Sequence, residues 1–191
     1  KVAGLDIFKG DMHGKTVILC QCGMGKVARG AATQLMITKY GIEAIVFSGI
    51  AGNMTDKIGV GDVCLSKEVV YHDAEITMID QHYPYLDSYK GDENLIKAAG
   101  RACEETNTEY IVGKIATGDK FVGDTRTKNA IKASCDPDCV EMEGAAIAHI
   151  ACKNDIPFLI IRAMSDNADE QATETLVVKH FDAAEYCDKA A

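Results

Sequence analysis

The chain has 191 residues, 47% of them apolar and 26% charged, a balance that supports a buried core and lacks the signature of a disordered tail. Its 29 acidic residues against 20 basic ones leave a formal charge of −9, a field that repels a phosphate backbone and argues against nucleic acid as partner. No apolar run reaches the ~18 residues of a membrane helix, and the length fits one domain better than two.

In chain order, residues 16–20 read as a buried strand, Gly23 and Gly25 as a turn, and residues 27–39 as a helix that Gly41 stops. Residues 44–47 read as a second buried strand, so this β-α-β unit predicts a parallel pair with a right-handed crossover. Lys26 and Arg29 are expected on the solvated face of the helix. Residues 62–66, 69–71 and 75–78 are rich in Val, Ile, Thr and Tyr, which predicts a bent, extended meander. Residues 81–89, with three tyrosines and Pro84, predict an exposed loop over a site or a partner surface.

Asp92 offers an N-cap to an amphipathic helix that ends near Thr106, with Leu95, Ile96, Ala99 and Cys103 on its apolar stripe. A strand over 110–117, a polar-faced helix over 125–134 and a short strand over 139–142 follow. Then come a nearly all-apolar helix over 144–154, a central strand over 158–164 and a closing helix over 174–189. Of the eight cysteines, Cys20, Cys64 and Cys152 lie in apolar stretches and read as reduced thiols in a reducing cytoplasm. Neither Cys20 with Cys22 nor Cys135 with Cys139 has zinc-knuckle spacing, and no histidine pair has helical ligand spacing, so no metal is expected.

In open α/β sheets ligands gather at the carboxyl ends of parallel strands. Polar groups that follow apolar runs there are Gly49-Ile50-Ala51-Gly52, Thr117-Gly118-Asp119 with Phe121, Glu141-Met142-Glu143 and Ser165-Asp166. Asp166 has two readings: a turn cap with Ser165, or a desolvated carboxyl that holds a proton and acts as a general acid. Glu141 and Glu143 point the same way if the chain is extended, and burying both without a function is costly. His72 with Asp73 reads as a base and its orienter or, two to one, as a pair tying a loop. Arg162, a cation inside an apolar strand, needs a buried partner. The glycines around Gly23 and Gly49 lack the spacing of a dinucleotide or triphosphate loop.

Taken together, Gly49-Ile50-Ala51-Gly52, Val60-Gly61-Asp62, Tyr71-His72-Asp73-Ala74, Thr117-Gly118-Asp119-Lys120-Phe121, Val140-Glu141-Met142-Glu143-Gly144-Ala145-Ala146 and Arg162-Ala163-Met164-Ser165-Asp166 form a recognisable series. The chain resembles the nucleoside phosphorylase superfamily and, within it, the 5′-methylthioadenosine/S-adenosylhomocysteine nucleosidases, from about Val2 to the final helix. The resemblance implies an α/β fold, a three-layer sandwich with a mixed, partly barrel-like central sheet. It also implies a single domain over 1–191, a cytoplasmic homodimer, an adenine nucleoside as substrate and no cofactor.

The implied reaction is hydrolysis of the N-glycosidic bond of 5′-methylthioadenosine or S-adenosylhomocysteine, releasing adenine. The alternatives are a purine or uridine nucleoside phosphorylase, or a non-catalytic nucleoside-binding protein on the same fold. By the resemblance, Asp166 would protonate the adenine at N7, Ser165 would help orient it and Arg162 would support the acidic cluster. Phe121 would stack on the purine and the Val122 backbone would read its edge. Met142 and Glu143 would line the ribose, with Glu143 gripping its hydroxyls, and Glu141, Ile50, Ala51 and Gly52 complete the expected substrate-binding set.

Two departures inform the reading. Phe47 and Ile50 stand where the phosphorylases hold phosphate with an arginine and a hydroxyl, which favours hydrolysis. The family's water-activating glutamate lies in an N-terminal strand and turn ahead of the position where Lys1 aligns, so the sequence is expected to lack that strand and helix. The segment from Glu170 to Leu176 also looks shorter than the family's adenine-side loop.

Overall fold

The computed structural model describes residues 2–172. The chain opens with an antiparallel hairpin of β1 (Asp6–Met12) and β2 (Lys15–Gln21), paired from Asp6 opposite Gln21 to Met12 opposite Lys15. His13 (φ 52°) and Gly14 (φ 76°) form its turn, and two left-handed residues in succession suit the twist of a two-residue hairpin. Helix α1 (Lys26–Tyr40) follows and ends on Gly41 in the left-handed region. Next come β3 (Ile45–Asn53), β4 (Val63–Tyr71), the short α2 (Ile76–Ile79), β5 (Tyr89–Lys90) and α3 (Glu93–Glu105). The rest is β6 (Tyr110–Thr117), α4 (Thr125–Cys135), β7 (Cys139–Glu141), α5 (Gly144–Lys153) and β8 (Phe158–Asp166).

The strands after the hairpin run in the order β5-β4-β6-β7-β3-β8, and a further β4–β8 pairing closes five of them into a mixed barrel-like sheet. Closure removes the free edges of those strands. β8 lies between β3, which it pairs in parallel, and β4, which it pairs antiparallel, and all nine of its residues are buried. Side chains alternate across a strand, and two sets of helices use the two faces. Cys64, Ile115, Cys139 and Ile160 pack with Ala145, Ile147, Ala148 and Ala151 of α5. Their neighbours Val63, Leu65, Leu159 and Ile161 pack with Cys103 of α3, while Ala116 and Val140 pack with Ile131 of α4. The result is the expected α/β sandwich with helices on both sides of a partly barrel-like sheet.

Two expectations are corrected. Residues 16–20 and 44–47 are not a parallel pair: β2 spends its length on β1, and the parallel partner of β3 is β8. On its second side β3 meets β7 at its last two residues, with Gly52 opposite Val140 and Asn53 opposite Cys139. Residues 75–78 are not extended, because Ile76–Ile79 make a helical turn. There the Thr77 hydroxyl donates to the Glu75 carboxylate at 2.6 Å and the Gln81 amide to the Thr77 carbonyl at 2.5 Å. Such local bonds outweigh β-propensity where the residues are exposed.

The predicted bend in the meander is a register shift between Ser66 and Glu68 of β4. The helix predicted over 174–189 lies outside the described residues. No helix among the described residues is long and apolar enough to cross a membrane.

The chain that follows β5 passes hard against that bulge. A Cβ on Gly91 would sit 2.1 Å from the Ser66 carbonyl oxygen, a backbone atom that cannot swing away. Gly91→Ala is therefore expected to cost about 1–3 kcal/mol, read as a lower urea midpoint at unchanged m-value; an unmoved midpoint would refute so tight a crossing.

Candidate active site

The strand register brings the expected site together. Asp166 of β8 lies opposite Gly52 of β3, Gly52 lies opposite Val140 of β7, and Thr117 of β6 lies opposite Glu141. Four segments far apart in sequence thus meet on consecutive rungs. They border a small depression lined by Gly52, Lys120, Phe121, Val122, Val140, Glu141, Met142 and Asp166. Phe121 is exposed, Met142 is half-buried and Val122 is buried.

Asp166 is 3% exposed and held from both sides: the Ser165 hydroxyl donates to Oδ2 at 2.7 Å and the Ala168 N–H to Oδ1 at 2.8 Å. Ser165 also lies 3.3 Å from the Ala51 carbonyl. The methyl of Ala51 points into the core, and Ile50 is half-buried and does not line the depression, so Gly52 is the residue of that trio that does.

Beside the depression lies a buried charge cluster. Glu141 accepts from the Thr117 hydroxyl, from Arg162 Nη2, and from the amides of Glu143 (3.1 Å) and Gly144 (2.8 Å). Thr117 Oγ1 in turn accepts the Ala145 amide at 2.8 Å. The N-terminal amides of α5, which have no partner inside the helix, are satisfied this way, and the helix dipole favours the carboxylate there. Glu143 Oε2 lies 3.3 Å from Arg162 Nη2, and its Oε1 accepts the Gly25 amide at 2.9 Å. Gly25, at φ 89°, holds a backbone shape that aims its N–H at Glu143 as α1 begins. The guanidinium of Arg162 also stacks on Phe47, 4.3 Å from the ring centre. It runs over Gly49, where a Cβ would come within 2.0 Å of Nη1. Arg162 thus has the buried partners that its position in β8 demanded.

Lys26 and Arg29 are not a free solvated face. Lys26 bonds Asp73 at 2.7 Å and Asp119 at 3.1 Å, and its ammonium lies over Tyr71. Arg29 lies over Phe47, 4.7 Å from the ring centre. The helix was read correctly, but its direction of approach to the strand ends is a tertiary fact.

Asp73 gives one oxygen to Lys26 and the other to the Asp119 amide at 2.7 Å, so it ties α1 to the loop after β6 and does not orient His72. Burial pushes His72 below its ordinary value, and its Nε2 packs so close that a Cβ on Gly118 would lie 2.2 Å away. Sequence reasoning gave no role to the Thr117 hydroxyl, the Gly25 amide or Lys26. Only a buried threonine ending a strand and a glycine starting a helix hinted at the first two. Among the described residues no group of three or more His, Cys, Asp or Glu is placed to hold a metal ion.

Two predictions follow from these pairings. Removing the cation of a buried cluster leaves uncompensated charge, so Arg162→Met should lower unfolding stability by about 3–5 kcal/mol; a loss below about 1 kcal/mol in denaturant titration would mean that water already screens the carboxylates. The second concerns pH. Burial would raise Asp73, but the Lys26 and Asp119 bonds hold it below its ordinary 3.8, so its contribution is present above that value and lost as pH falls through the depressed one. Burial would lower Lys26, but Asp73 and Asp119 hold it above 10.5, so its contribution is complete below that value and lost as pH rises through the raised one. Asp73→Asn should flatten both limbs of a plot of melting temperature against pH, and a plot that kept its acid limb would show that other carboxylates set it.

Residues 1–188 match the family profile described as the phosphorylase superfamily. The 5′-methylthioadenosine/S-adenosylhomocysteine nucleosidase of Shewanella pealeana is 37% identical over 177 residues, which span 90% of this chain and 77% of the relative. The enzyme of the same name from Bacillus thuringiensis is 36% identical over the same shares of both chains. The crystal structure of the Neisseria meningitidis nucleosidase in complex with methylthio-immucillin-A superposes with a TM-score of 0.92 at 31% identity, covering 100% of this chain and 85% of that one. With the barrel, the strand-end register and the acidic cluster in place, the chain belongs to the phosphorylase superfamily and, within it, to the 5′-methylthioadenosine/S-adenosylhomocysteine nucleosidase family.

Proposed function

We propose that the protein hydrolyses the N-glycosidic bond of 5′-methylthioadenosine or S-adenosylhomocysteine and releases adenine, working as a cytoplasmic homodimer. The observation that carries this reading is the setting of Asp166: a buried carboxyl, gripped by Ser165 and the Ala168 amide, at the edge of a depression whose other walls are Phe121, Val122 and Met142. A planar base that stacks on Phe121 brings its edge to Asp166, and the carboxyl proton passes to purine N7 as the bond to the sugar breaks. Protonation turns the base into a neutral leaving group, the work of a general acid.

The sugar left behind carries developing positive charge, as in other glycoside cleavages. Glu141, Glu143 and Arg162 together carry one net negative charge in a dry setting, fixed before the reaction begins, and such preorganised charge favours an oxocarbenium-like state. Glu143 is the member assigned to the ribose hydroxyls, with Met142 against the ring. Glu141 is spent on Arg162, Thr117 and the start of α5, so its part is to hold the other two in place. The residues assigned here cover the leaving-group and ribose sides of the reaction.

Asp166→Asn keeps the shape of the side chain and removes the acid. It is expected to lower adenine release from 5′-methylthioadenosine by about 10²–10⁴-fold while leaving the melting temperature close to that of the parent, and undiminished turnover would refute the acid role. Identifying the sugar product with and without phosphate sets the reaction type. Free 5-methylthioribose made without phosphate is expected; a strict phosphate requirement yielding a sugar 1-phosphate would assign the chain to phosphorolysis.

A further inference from the structure

The segment that carries Asp166 out of β8 is fastened to the first turn of α4 by side chains that the reaction itself does not use. Glu170 Oε1 accepts the Thr125 N–H at 3.0 Å and its Oε2 accepts the Thr125 hydroxyl at 2.7 Å. One turn further along α4, Lys128 Nζ donates to the Asn167 carbonyl at 2.6 Å. Between these two struts lies Ala168, whose N–H donates to Asp166 Oδ1 and whose buried methyl packs in one cluster with Val122, Val140 and Ile131. Ala168 has φ 52°, a left-handed shape that a residue with a Cβ adopts only when its surroundings hold it. The Thr125 amide is one of the orphan donors of α4, and the N-cap Asp124 serves a different one, the Thr127 amide at 2.8 Å.

Phe121 and Val122 lead directly into α4. The same helix turn therefore anchors both sides of the depression: the wall that stacks the base and the loop that aims the acid. We propose that Glu170 and Thr125 are positioning residues for purine release, a bidentate tether that fixes the Asp166 loop against the Phe121–Val122 wall. The inference rests on the nucleosidase reading of this site and adds two residues to it. Both lie at the surface, where a hydrogen bond adds little to overall stability. A misplacement of an acid by about 1 Å, in contrast, is felt strongly in the rate. The tether is consequently expected to matter for turnover far more than for folding.

The test compares Glu170→Ala, Glu170→Gln, Thr125→Val and the double variant Glu170→Ala/Thr125→Val with the parent protein. Readouts are kcat and KM on 5′-methylthioadenosine, Kd for adenine, and melting temperature. Glu170→Ala is expected to lower kcat about ten- to a hundredfold with KM changed by less than about threefold and melting temperature by no more than about 4 °C. Glu170→Gln, whose amide oxygen accepts the Thr125 N–H while its NH2 donates to the hydroxyl, should restore kcat to within about threefold. The double variant should be no slower than Glu170→Ala, because both changes cut one tether.

Parental kcat in Glu170→Ala overturns the proposal, as does additive loss in the double variant or a kcat loss that follows the fall in melting temperature. A parent that releases adenine while Glu170→Ala is unimpaired removes the tether alone; a parent that neither cleaves the nucleoside nor binds adenine removes the nucleosidase reading and the tether with it.

Discussion

A guanidinium wedged between two buried carboxylates is the constraint on which the rest of this structure depends. Arg162 leaves the middle of a fully buried strand, and charge in such a place is stable only if it is paired and hydrogen-bonded on the spot. Glu141 and Glu143 do this, and each is tied to something else: Glu141 to Thr117 and the first amides of α5, Glu143 to the Gly25 amide where α1 begins. One ionic knot therefore sets the relation of β6, β7, β8, α1 and α5. Any slip of β8 by one residue would turn Arg162 to the opposite face and undo all of these contacts at once, so the knot also defines the register that seats Asp166 opposite Gly52.

The closed sheet explains why the groups assigned to the reaction hold their places. In an open sheet the carboxyl ends of the strands are joined to only one or two neighbours. Here β4 pairs with β5, β6 and β8, and the barrel returns on itself, so each of the strands that brings a functional group is braced on both sides. A site of this kind loses little geometry on binding and needs little reorganisation as charge develops. The loops that leave the strand ends are tied to one another by surface pairs, among them Lys26 with Asp73 and Asp119.

Much of this was legible in the chain itself, and the misses share one cause. The helix starting after Asp92 announces itself with a cap whose side chain accepts the first amides, whereas the cap at Asp124 is seen only in the structure. The apolar runs of β8 and α5 are unmistakable because a largely buried element has little polar face to confuse its period. Arg162 was legible as a cation in want of a partner, but its carboxylates stand about twenty positions back, and distance along the chain hides which acid meets it. The same applies to β2: its residues form a strand as expected, yet its pairing with β1 is made by the tight turn at His13-Gly14, which brings the two strands together in register. Lys26 looked like a solvent-facing helix charge because helical periodicity carries no information about where a helix end meets a sheet.

The charge arrangement also bears on which acceptor the site suits. A phosphorolytic site must hold a dianion against the sugar, with cations free to receive it. In this chain the ring of Phe47, in the first half of β3, carries both arginines, Arg162 at 4.3 Å and Arg29 at 4.7 Å from its centre. Arg162 is already committed to two carboxylates, and Arg29 lies half-buried on the aromatic ring. Glu141 and Glu143 therefore withdraw Arg162 from any dianion, and the formal negative charge that the trio keeps favours a sugar cation beside it. The ionic knot that holds β8 in register thus also takes its own arginine out of reach of phosphate.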